Sequence, residues 1–173
     1  EDQVVTVGGL RILGLGGSMR YNRGINQYTE REMRQRVNRL RFKLWRSGGI
    51  DILLTHSPAR HLGDDTDLAH IGFETFLDVM DRYHPRYMVH GHVHQNYQYN
   101  FKRIRQHGDT TVINAFGYYL LDMQIPSIHE LTRLKFRHFL AFLWIRSYNM
   151  EDMRGGLSRA NFIFTKEISP CRT

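Results

Sequence analysis

The sequence predicts an α/β fold in which a mixed β-sheet is layered with helices. Short apolar runs with the length of buried strands alternate with two segments whose apolar residues recur at steps of three and four. Further short strands, separated by turn residues, follow this alternating part. The order strand, helix, strand, helix, strand and then antiparallel strands is typical of a mixed sheet with helices packed on it. With 173 residues, the chain suits one domain with a buried core.

The first part of the chain predicts a hairpin. Residues 4–7 and 10–15 have the pattern of two strands, and Gly8 and Gly9 between them form a hairpin-type dipeptide. The glycine-rich residues 14–18 follow. Their spacing does not match a dinucleotide-binding loop and no helix begins at once, so we interpret them as a plain exit from the strand.

A long amphipathic helix is predicted over residues 29–46, where Thr29 and Glu32 have the spacing of a capping box. Its outer face carries many arginines, which either form a solvated surface or face RNA. Phe42 and Trp45 stand together at the end of the helix instead of among the arginines, and this favours the solvated surface.

Two later strands end close to histidines. Residues 50–55 predict a buried strand that delivers His56, and residues 87–89 predict another that leads to His92. A second amphipathic helix, residues 71–83, lies between them. Ligands of open α/β sheets collect at the carboxyl ends of strands, where both histidines are expected.

The segment His-Gly-His-Val-His at residues 90–94 is the strongest chemical signal. We expect Gly91 to allow a tight turn in which His92 and His94 aim their imidazoles into one small volume. Neutral imidazole is a common ligand of transition metals. Two histidines this close are often plain surface residues, but His56 at the end of another strand favours a metal site. For the other histidines of this region we expect structural or solvent-facing roles: His61, His70, His84 and His90.

Two charged features near these segments are weaker candidates. Arg20, beside the glycine-rich residues, is a candidate contact for an anionic substrate. Asp64, Asp65 and Asp67 either bind metal or position substrate, or they form a solvated acidic loop, and the solvated loop is the commoner case.

The remaining elements are assigned from alternation and turn residues. Residues 97–106 predict an exposed strand, 107–109 its turn, and 110–115 and 118–121 the returning strands.

The chain changes character at residue 123. Residues 127–146 predict a helix that mixes basic, aromatic and apolar side chains, and 162–165 predict one strand. These apolar residues are too many to leave in water, so we expect them to pack on the sheet, on a partner or on a second copy of the chain. We therefore divide the chain into residues 1–122 and an extension, residues 123–173.

Composition limits the classes of partner. A net charge of +7 favours anionic partners such as phosphate esters or nucleic acid without choosing between them. No apolar run approaches the length of a membrane span, so we expect no membrane partner. The single cysteine, Cys171, indicates a reducing compartment, and we expect a cytoplasmic protein. The chain opens at Glu1 instead of a methionine, which indicates a processed product or a piece of a longer protein.

Residues 4–122 resemble the C-terminal half of calcineurin-like metallophosphoesterases. The likeness rests on DILLTHSP at residues 51–58, HGHVH at 90–94 and VINAFG at 112–117. The resemblance implies half of a sandwich of two mixed sheets flanked by helices, and hydrolysis of phosphate mono- or diesters by a two-metal-activated hydroxide.

The resemblance also implies a set of metal ligands. His56 and His92 would bind the second metal ion, and His94 the first. Such ligands select divalent transition metals, here Mn, Fe, Zn or Ni, and a complete site would hold two ions. The resemblance assigns no catalytic residue to this chain.

The family's earlier motifs, Asp-x-His, Gly-Asp-x-x-Asp and Gly-Asn-His-Asp/Glu, are missing from the positions where they are expected. Residues 63–67, GDDTD, match the second motif by letter but follow His56 instead of preceding it, so we treat the match as coincidence. Three histidines cannot hold two metal ions without carboxylates. We therefore expect half of an active site, completed by an N-terminal half-domain partner or by a homo-oligomer formed through residues 123–173.

Three functions follow, and they remain open at this point. The first is a metal-dependent phosphoesterase that is incomplete or inactive as this chain alone. The second is a non-catalytic binding or scaffold module derived from the same fold. The third is a basic nucleic-acid-binding protein, whose affinity would fall steeply with salt.

Overall fold

The computed structural model describes residues 2–94, 102–124 and 159–165. In chain order its elements are β1 (Gln3–Val7), β2 (Leu10–Leu15), β3 (Ser18–Met19), β4 (Gln27–Tyr28), α1 (Glu30–Arg39), α2 (Arg41–Arg46), β5 (Ile52–Thr55), α3 (Glu74–Tyr83), β6 (Tyr87–His90), β7 (Ile104–His107), β8 (Thr110–Asn114), β9 (Tyr118–Gln124) and β10 (Arg159–Thr165).

A six-stranded mixed sheet has the spatial order β1-β2-β5-β6-β8-β7. The four inner strands are parallel, and the outer strands β1 and β7 run antiparallel to their neighbours. One row of the register joins Leu13, Leu53, Met88 and Val112 across the inner strands. The predicted α/β class with a mixed sheet is confirmed. Because the inner strands are parallel, their carboxyl ends meet at one edge of the sheet.

Two short pairings lie outside this sheet. β3 pairs with β4 after the glycine-rich residues, and β9 pairs with β10 in a two-stranded sheet of its own. The predicted strand at residues 118–121 is present as part of β9, and it pairs with β10 instead of joining the six-stranded sheet. The predicted helix at 127–146 and the first part of the predicted strand, residues 97–101, lie outside the residues that the structure describes.

The predicted hairpin is present as β1 and β2, but the predicted helix over residues 29–46 is two helices. The capping box of Thr29 and Glu32 starts α1 as expected. The helix breaks at Leu40, whose amide donates to the carbonyl of Val37, one residue closer than in an α-helix. Leu40 and Leu44 are 5% and 0% exposed, so both side chains remain in the core across the break.

The second helix begins at Glu74, three residues later than predicted. Phe73 is still extended and forms a parallel bridge with Ala59. The Glu30 carboxylate of α1 accepts hydrogen bonds from the amides of Glu74 and Thr75, at 3.0 and 2.7 Å. These are amides that the first turn of a helix leaves without partners, so α1 caps α3.

Both faces of the sheet are apolar and buried, which is typical of parallel strands. One face packs against the three helices. Its buried cluster contains Leu13, Leu15, Met33, Val37, Leu40, Leu44, Ile50, Leu53, Ala59, Phe73, Phe76, Val79, Met80, Met88 and Val112. The other face carries Ile12, Ile52, Val89 and Ile113, none of them more than 8% exposed.

The chain divides into two compact units, Glu1–Tyr119 with Phe164–Thr173, and Leu120–Ile163. The predicted boundary at residue 122 stays a prediction. Of the helices in the described part of the chain, none is long and apolar enough to cross a membrane.

Arg11 joins β2 to the segment between α2 and β5. Its Nε and Nη2 donate to the two carboxylate oxygens of Asp51 at 2.9 and 2.8 Å, and Nη1 donates to the carbonyls of Ser47 and Gly48. Burial alone would raise the pKa of Asp51, but the hydrogen bonds and charge of Arg11 bring it below the ordinary carboxyl value. The charged pair therefore stabilises the folded state.

We expect Asp51→Asn to lower the free energy of unfolding by about 2 kcal/mol at pH 7, the range for hydrogen bonds to charged groups. Because the pKa of Asp51 is lowered by folding, its contribution is present above the ordinary carboxyl pKa and is lost as pH falls through the folded value. Urea unfolding followed by circular dichroism at pH 7 and pH 3 measures both effects.

Asp78→Asn is the matched control, because Asp78 pairs with Arg34 at the surface, with side chains 65% and 52% exposed. We expect this variant to change stability by less than about 1 kcal/mol. Equal losses in the two variants, or a loss in Asp51→Asn that does not become smaller between pH 7 and pH 3, would contradict the role given to the half-buried pair.

Candidate metal centre

His56 and His92 meet at the carboxyl edge of the sheet. His56 directly follows β5, and His92 lies two residues beyond β6. The amide of Gly91 donates to the carbonyl of His56 at 3.1 Å, which continues the pairing of the two strands beyond their ends. The imidazole nitrogens His56 Nε2 and His92 Nδ1 are 3.1 Å apart, and the ring centroids are 4.7 Å apart. The predicted convergence of these two histidines is therefore present.

The turn that presents His92 differs from the expected one. The left-handed residue is His92 itself, with φ +67°, and the amide of Val93 donates to the carbonyl of Gly91 at 2.8 Å. This is the hydrogen bond of a γ-turn, a strained turn when its central φ is positive. A Cβ on Gly91 would meet only the His56 carbonyl oxygen, at an ordinary 3.9 Å. The expectation that the turn depends on a glycine at residue 91 is therefore wrong.

Neighbouring contacts hold this turn in place. The side chain of Val93 is 8% exposed, and its carbonyl accepts a hydrogen bond from Asn114 Nδ2 at 2.9 Å. The amide of Ala115 donates to the carbonyl of His90 at 2.7 Å. A left-handed non-glycine residue costs on the order of 1–3 kcal/mol and persists only where the surroundings fix it. Here Asn114 of β8 and the following Ala115 hold the backbone on both sides of His92.

A carbonyl of the loop between β5 and α3 determines the tautomer of His92. His92 Nε2 lies 2.7 Å from the carbonyl oxygen of Ala69, which can only accept, so Nε2 carries the hydrogen. Metal-binding histidines usually donate their second ring N–H in this way. His92 Nδ1 is then the acceptor of the hydrogen bond with His56, so His56 Nε2 donates to it, and that hydrogen must leave before both nitrogens can bind one ion. Two nitrogens bound to one ion at about 2.1 Å are about 3.0 Å apart at a 90° angle and about 3.4 Å apart at the tetrahedral angle, so the 3.1 Å spacing lies within this range.

Asp67 and His70 organise the loop that holds Ala69. The Asp67 carboxylate accepts from the amides of Ala69 and His70, at 3.0 and 3.2 Å, and from His70 Nδ1 at 2.8 Å. The hydrogen bond from His70 holds the pKa of Asp67 below its ordinary value. The His70 ring lies 5.0 Å from the His92 ring. The sequence analysis did not predict that Asp67 and His70 lie beside His92. The spacing of three residues between them is the sequence feature that indicates their pairing.

The other two aspartates of this loop also bind its backbone. Asp64 accepts from the amide of Gly72 at 3.1 Å, and Asp65 accepts from the amide of Thr66 at 2.7 Å. A Cβ on Gly72 would lie 2.5 Å from the carbonyl of Ala59, so the loop closes where only glycine fits. These carboxylates thus shape the loop.

The ring of His94 has an aromatic contact of its own. It is exposed, and its ring stacks on Phe116 with centroids 4.2 Å apart. Within residues 2–94 and 102–124, no three His, Cys, Asp or Glu side chains are arranged to hold a metal ion. The assignments of His56, His92 and His94 as metal ligands stay predictions.

His90 has the structural position expected for it. It is 2% exposed, and its Nδ1 donates to the carbonyl of Gly91 at 3.1 Å. Burial lowers the pKa of His90 to about 4, with smaller contributions from the charges of Arg105 and His92. The ring is therefore neutral at neutral pH.

Arg20 is engaged at the start of α1. Its Nη2 donates to both carboxylate oxygens of Glu32, at 3.0 and 2.9 Å. Its role as a substrate contact stays a prediction. The glycine-rich residues behave as a strand exit: Gly17 has φ +98°, and a Cβ there would lie 2.4 Å from the ring of Tyr28. Ser57 Oγ donates to the carbonyl of Gly17 at 3.0 Å and ties this exit to the end of β5.

Comparison with known proteins identifies the family. The model of the family described as calcineurin-like phosphoesterase matches residues 2–96, more than half of the chain. The chain belongs to the calcineurin-like phosphoesterase family. The predicted resemblance is thereby confirmed, and the fold is of the type used by metal-dependent phosphoesterases.

Solved structures of this fold are only distantly similar. One crystal structure shares 18% identity, covering 66% of this chain and 44% of its own, with a TM-score of 0.46. A second, that of the protein TT1561 from Thermus thermophilus, shares 14% identity, covering 69% of this chain and 51% of its own, with a TM-score of 0.44. The chain thus spans about half the length of each. No curated protein matches it.

Replacing Asp67 should release the loop that orients His92. We expect Asp67→Ala to weaken Zn²⁺ binding by about tenfold, the lower end of the effect seen when an outer partner of a metal-binding histidine is lost. We also expect the imidazole ¹⁵N spectrum of His92 to change from one Nε2–H tautomer to a mixture. Isothermal titration calorimetry and NMR measure the two effects.

Asp65→Ala is the matched control on the same loop, because the Asp65 carboxylate accepts from the amide of its sequence neighbour Thr66. We expect it to leave Zn²⁺ affinity and the His92 tautomer unchanged. An Asp67→Ala variant indistinguishable from Asp65→Ala would show that the loop does not position His92.

Proposed function

We propose that this chain contributes one part of the centre of a metal-dependent phosphoesterase that hydrolyses phosphate mono- or diesters. Family membership supports the reaction class. The observation that carries the proposal for this chain is the 3.1 Å approach of His56 Nε2 to His92 Nδ1, with Nε2 of His92 bound to a carbonyl. That arrangement places two imidazole nitrogens side by side at the edge of the sheet, where an ion would replace the hydrogen that they share.

The residues fit a metal ion only in part. His56 and His92 suit two ligands of one divalent transition ion such as Mn, Fe, Zn or Ni. His94 would bind the other ion of the pair. The described residues bring no carboxylate group together with these histidines to complete the ligands of either ion. We propose that the remaining ligands come from residues outside the described ones, from an N-terminal half-domain partner, or from a second copy of the chain.

When bound, two divalent ions supply a hydroxide near neutral pH and neutralise the charge on phosphoryl oxygens. The chain's own contribution is to place ligands. Strand pairing fixes the separation of His56 and His92, β8 fixes the strained turn at His92, and Ala69 fixes its tautomer. Arg20 is proposed as a contact for the anionic substrate, released from Glu32 when substrate binds.

A metal-binding experiment tests this proposal without requiring an assembled active site. We expect the dialysed chain to bind about one equivalent of Mn²⁺ or Zn²⁺ with low affinity, because His56 and His92 supply two ligands of one ion whereas a tightly held ion has three or four protein ligands. Inductively coupled plasma mass spectrometry after equilibrium dialysis gives the stoichiometry. His56→Ala and His92→Ala should each remove at least about nine tenths of the binding.

His84→Asn is the control, since His84 is an exposed residue in the left-handed position after α3, which asparagine also tolerates. Hydrolysis of bis-p-nitrophenyl phosphate with added Mn²⁺ should be absent or weak in the chain alone and depend on His92. Metal binding that is unchanged in both histidine variants would overturn the proposal. No binding at all would favour a non-catalytic module built on the same fold.

A further inference from the structure

The short helix α2 carries two aromatic rings that are exposed to solvent. Phe42 and Trp45 are 66% and 76% exposed, and their ring centroids lie 5.8 Å apart with planes tilted by 34°. Leu44, between them in sequence, is 0% exposed and fixes α2 to the core. Exposed aromatic side chains of this size, held on a rigid element, are typical of binding surfaces.

The rings stand in a strongly basic segment, so the expectation of a plain solvated surface does not apply to residues 39–46. Residues 39–46 contain four Lys or Arg residues and no Asp or Glu, and these four side chains are exposed: Arg39, Arg41, Lys43 and Arg46. A surface that combines exposed rings with concentrated positive charge has the chemistry to bind an anionic, aromatic partner.

A groove of about 270 Å³ between α1 and α3 is contiguous with this segment. Three arginines line it, Arg34, Arg41 and Arg82, and Arg41 belongs to the groove and to α2 alike. The acidic lining residue is Asp78, which already pairs with Arg34 at 3.1 Å. The groove therefore presents net positive charge, and Arg41 connects it to the aromatic pair.

This surface lies away from the histidines. Ser47 and Gly48, at the end of α2, contact Arg11, whose partner Asp51 directly precedes β5. α2 is therefore located at the amino end of β5, whereas His56 follows its carboxyl end.

We propose that this helical surface, made of Arg34, Arg41, Arg82, Phe42 and Trp45, binds single-stranded nucleic acid. Phosphates contact the three arginines, and bases stack on the two rings. Single strands fit better than a duplex, because paired bases are enclosed by their own stacking and cannot reach the rings. A bilayer surface fits less well, since α2 has only six residues and cannot present the long apolar face of an interfacial helix. The proposal does not rest on the phosphoesterase activity.

The test is fluorescence anisotropy of a labelled 15-nucleotide oligo(dT), titrated with the full chain in EDTA at several salt concentrations. We expect binding whose log affinity falls with log salt with a slope of about 2, corresponding to three phosphate contacts on a single strand. Phe42→Ala and Trp45→Ala should each weaken binding on the order of tenfold, and Trp45→Phe should retain most of it. Arg41→Gln and Arg82→Gln should each reduce the salt slope by about 0.7.

Matched controls separate this surface from general charge and from the histidines. Arg23→Gln removes an exposed arginine elsewhere, Leu68→Ala removes a side chain that is 67% exposed, and His92→Ala alters the candidate metal centre. All three should bind oligo(dT) with about the affinity of the unmodified chain apart from the small loss expected for one distant charge.

Several outcomes would overturn the proposal. They are no binding at low salt, equal binding by a folded Phe42→Ala, Trp45→Ala double variant, and duplex binding as tight as single-strand binding. Binding to vesicles of phosphatidylserine and phosphatidylcholine without oligonucleotide binding would assign the surface to membranes instead. Loss of oligonucleotide binding in His92→Ala alone would place the nucleic acid at the histidines.

Discussion

The parallel pairing of β5 with β6 is the constraint on which the candidate site depends. The register that sets Ile52 beside Tyr87 continues beyond the strands, where the amide of Gly91 donates to the carbonyl of His56. A shift of one residue would send each side chain to the opposite face of the sheet. Burial of apolar residues on both faces therefore fixes the position of His56 relative to His92. The core, which has no chemistry of its own, determines the geometry of the imidazole pair.

Sequence reasoning succeeded where local pattern and buried packing agree. The apolar strands, the capping box at Thr29 and the two histidines beyond strand ends all depend on residues whose local preference matches the tertiary structure. It failed where tertiary contacts override local pattern. The break at Leu40 is invisible in the sequence, because Leu40 and Leu44 continue the same helical periodicity on either side of it. The later start of α3 follows from Glu30, which is 44 residues distant from Glu74.

The same limit applies inside the site. Glycine is the residue expected to take a positive φ, yet His92 takes it, held by contacts from β8. Nothing local to Asp67 and His70 indicates that their loop closes over His92, since the carbonyl contact of Ala69 spans 23 residues. The strained turn and the loop both serve to hold one imidazole in a single orientation. The contacts that hold this imidazole are the reason that we propose His92 as a metal ligand.

The most direct test of the paired-histidine site is a crystal structure of the chain soaked in Zn²⁺, with data collected at the zinc absorption edge. We expect an anomalous peak at about 2.1 Å from both His56 Nε2 and His92 Nδ1. The Ala69 carbonyl should still accept from His92 Nε2, and the strand ends should not move. Zinc bound through His92 Nε2 with the Ala69 contact broken, or zinc bound only at other histidines, would contradict the site described above.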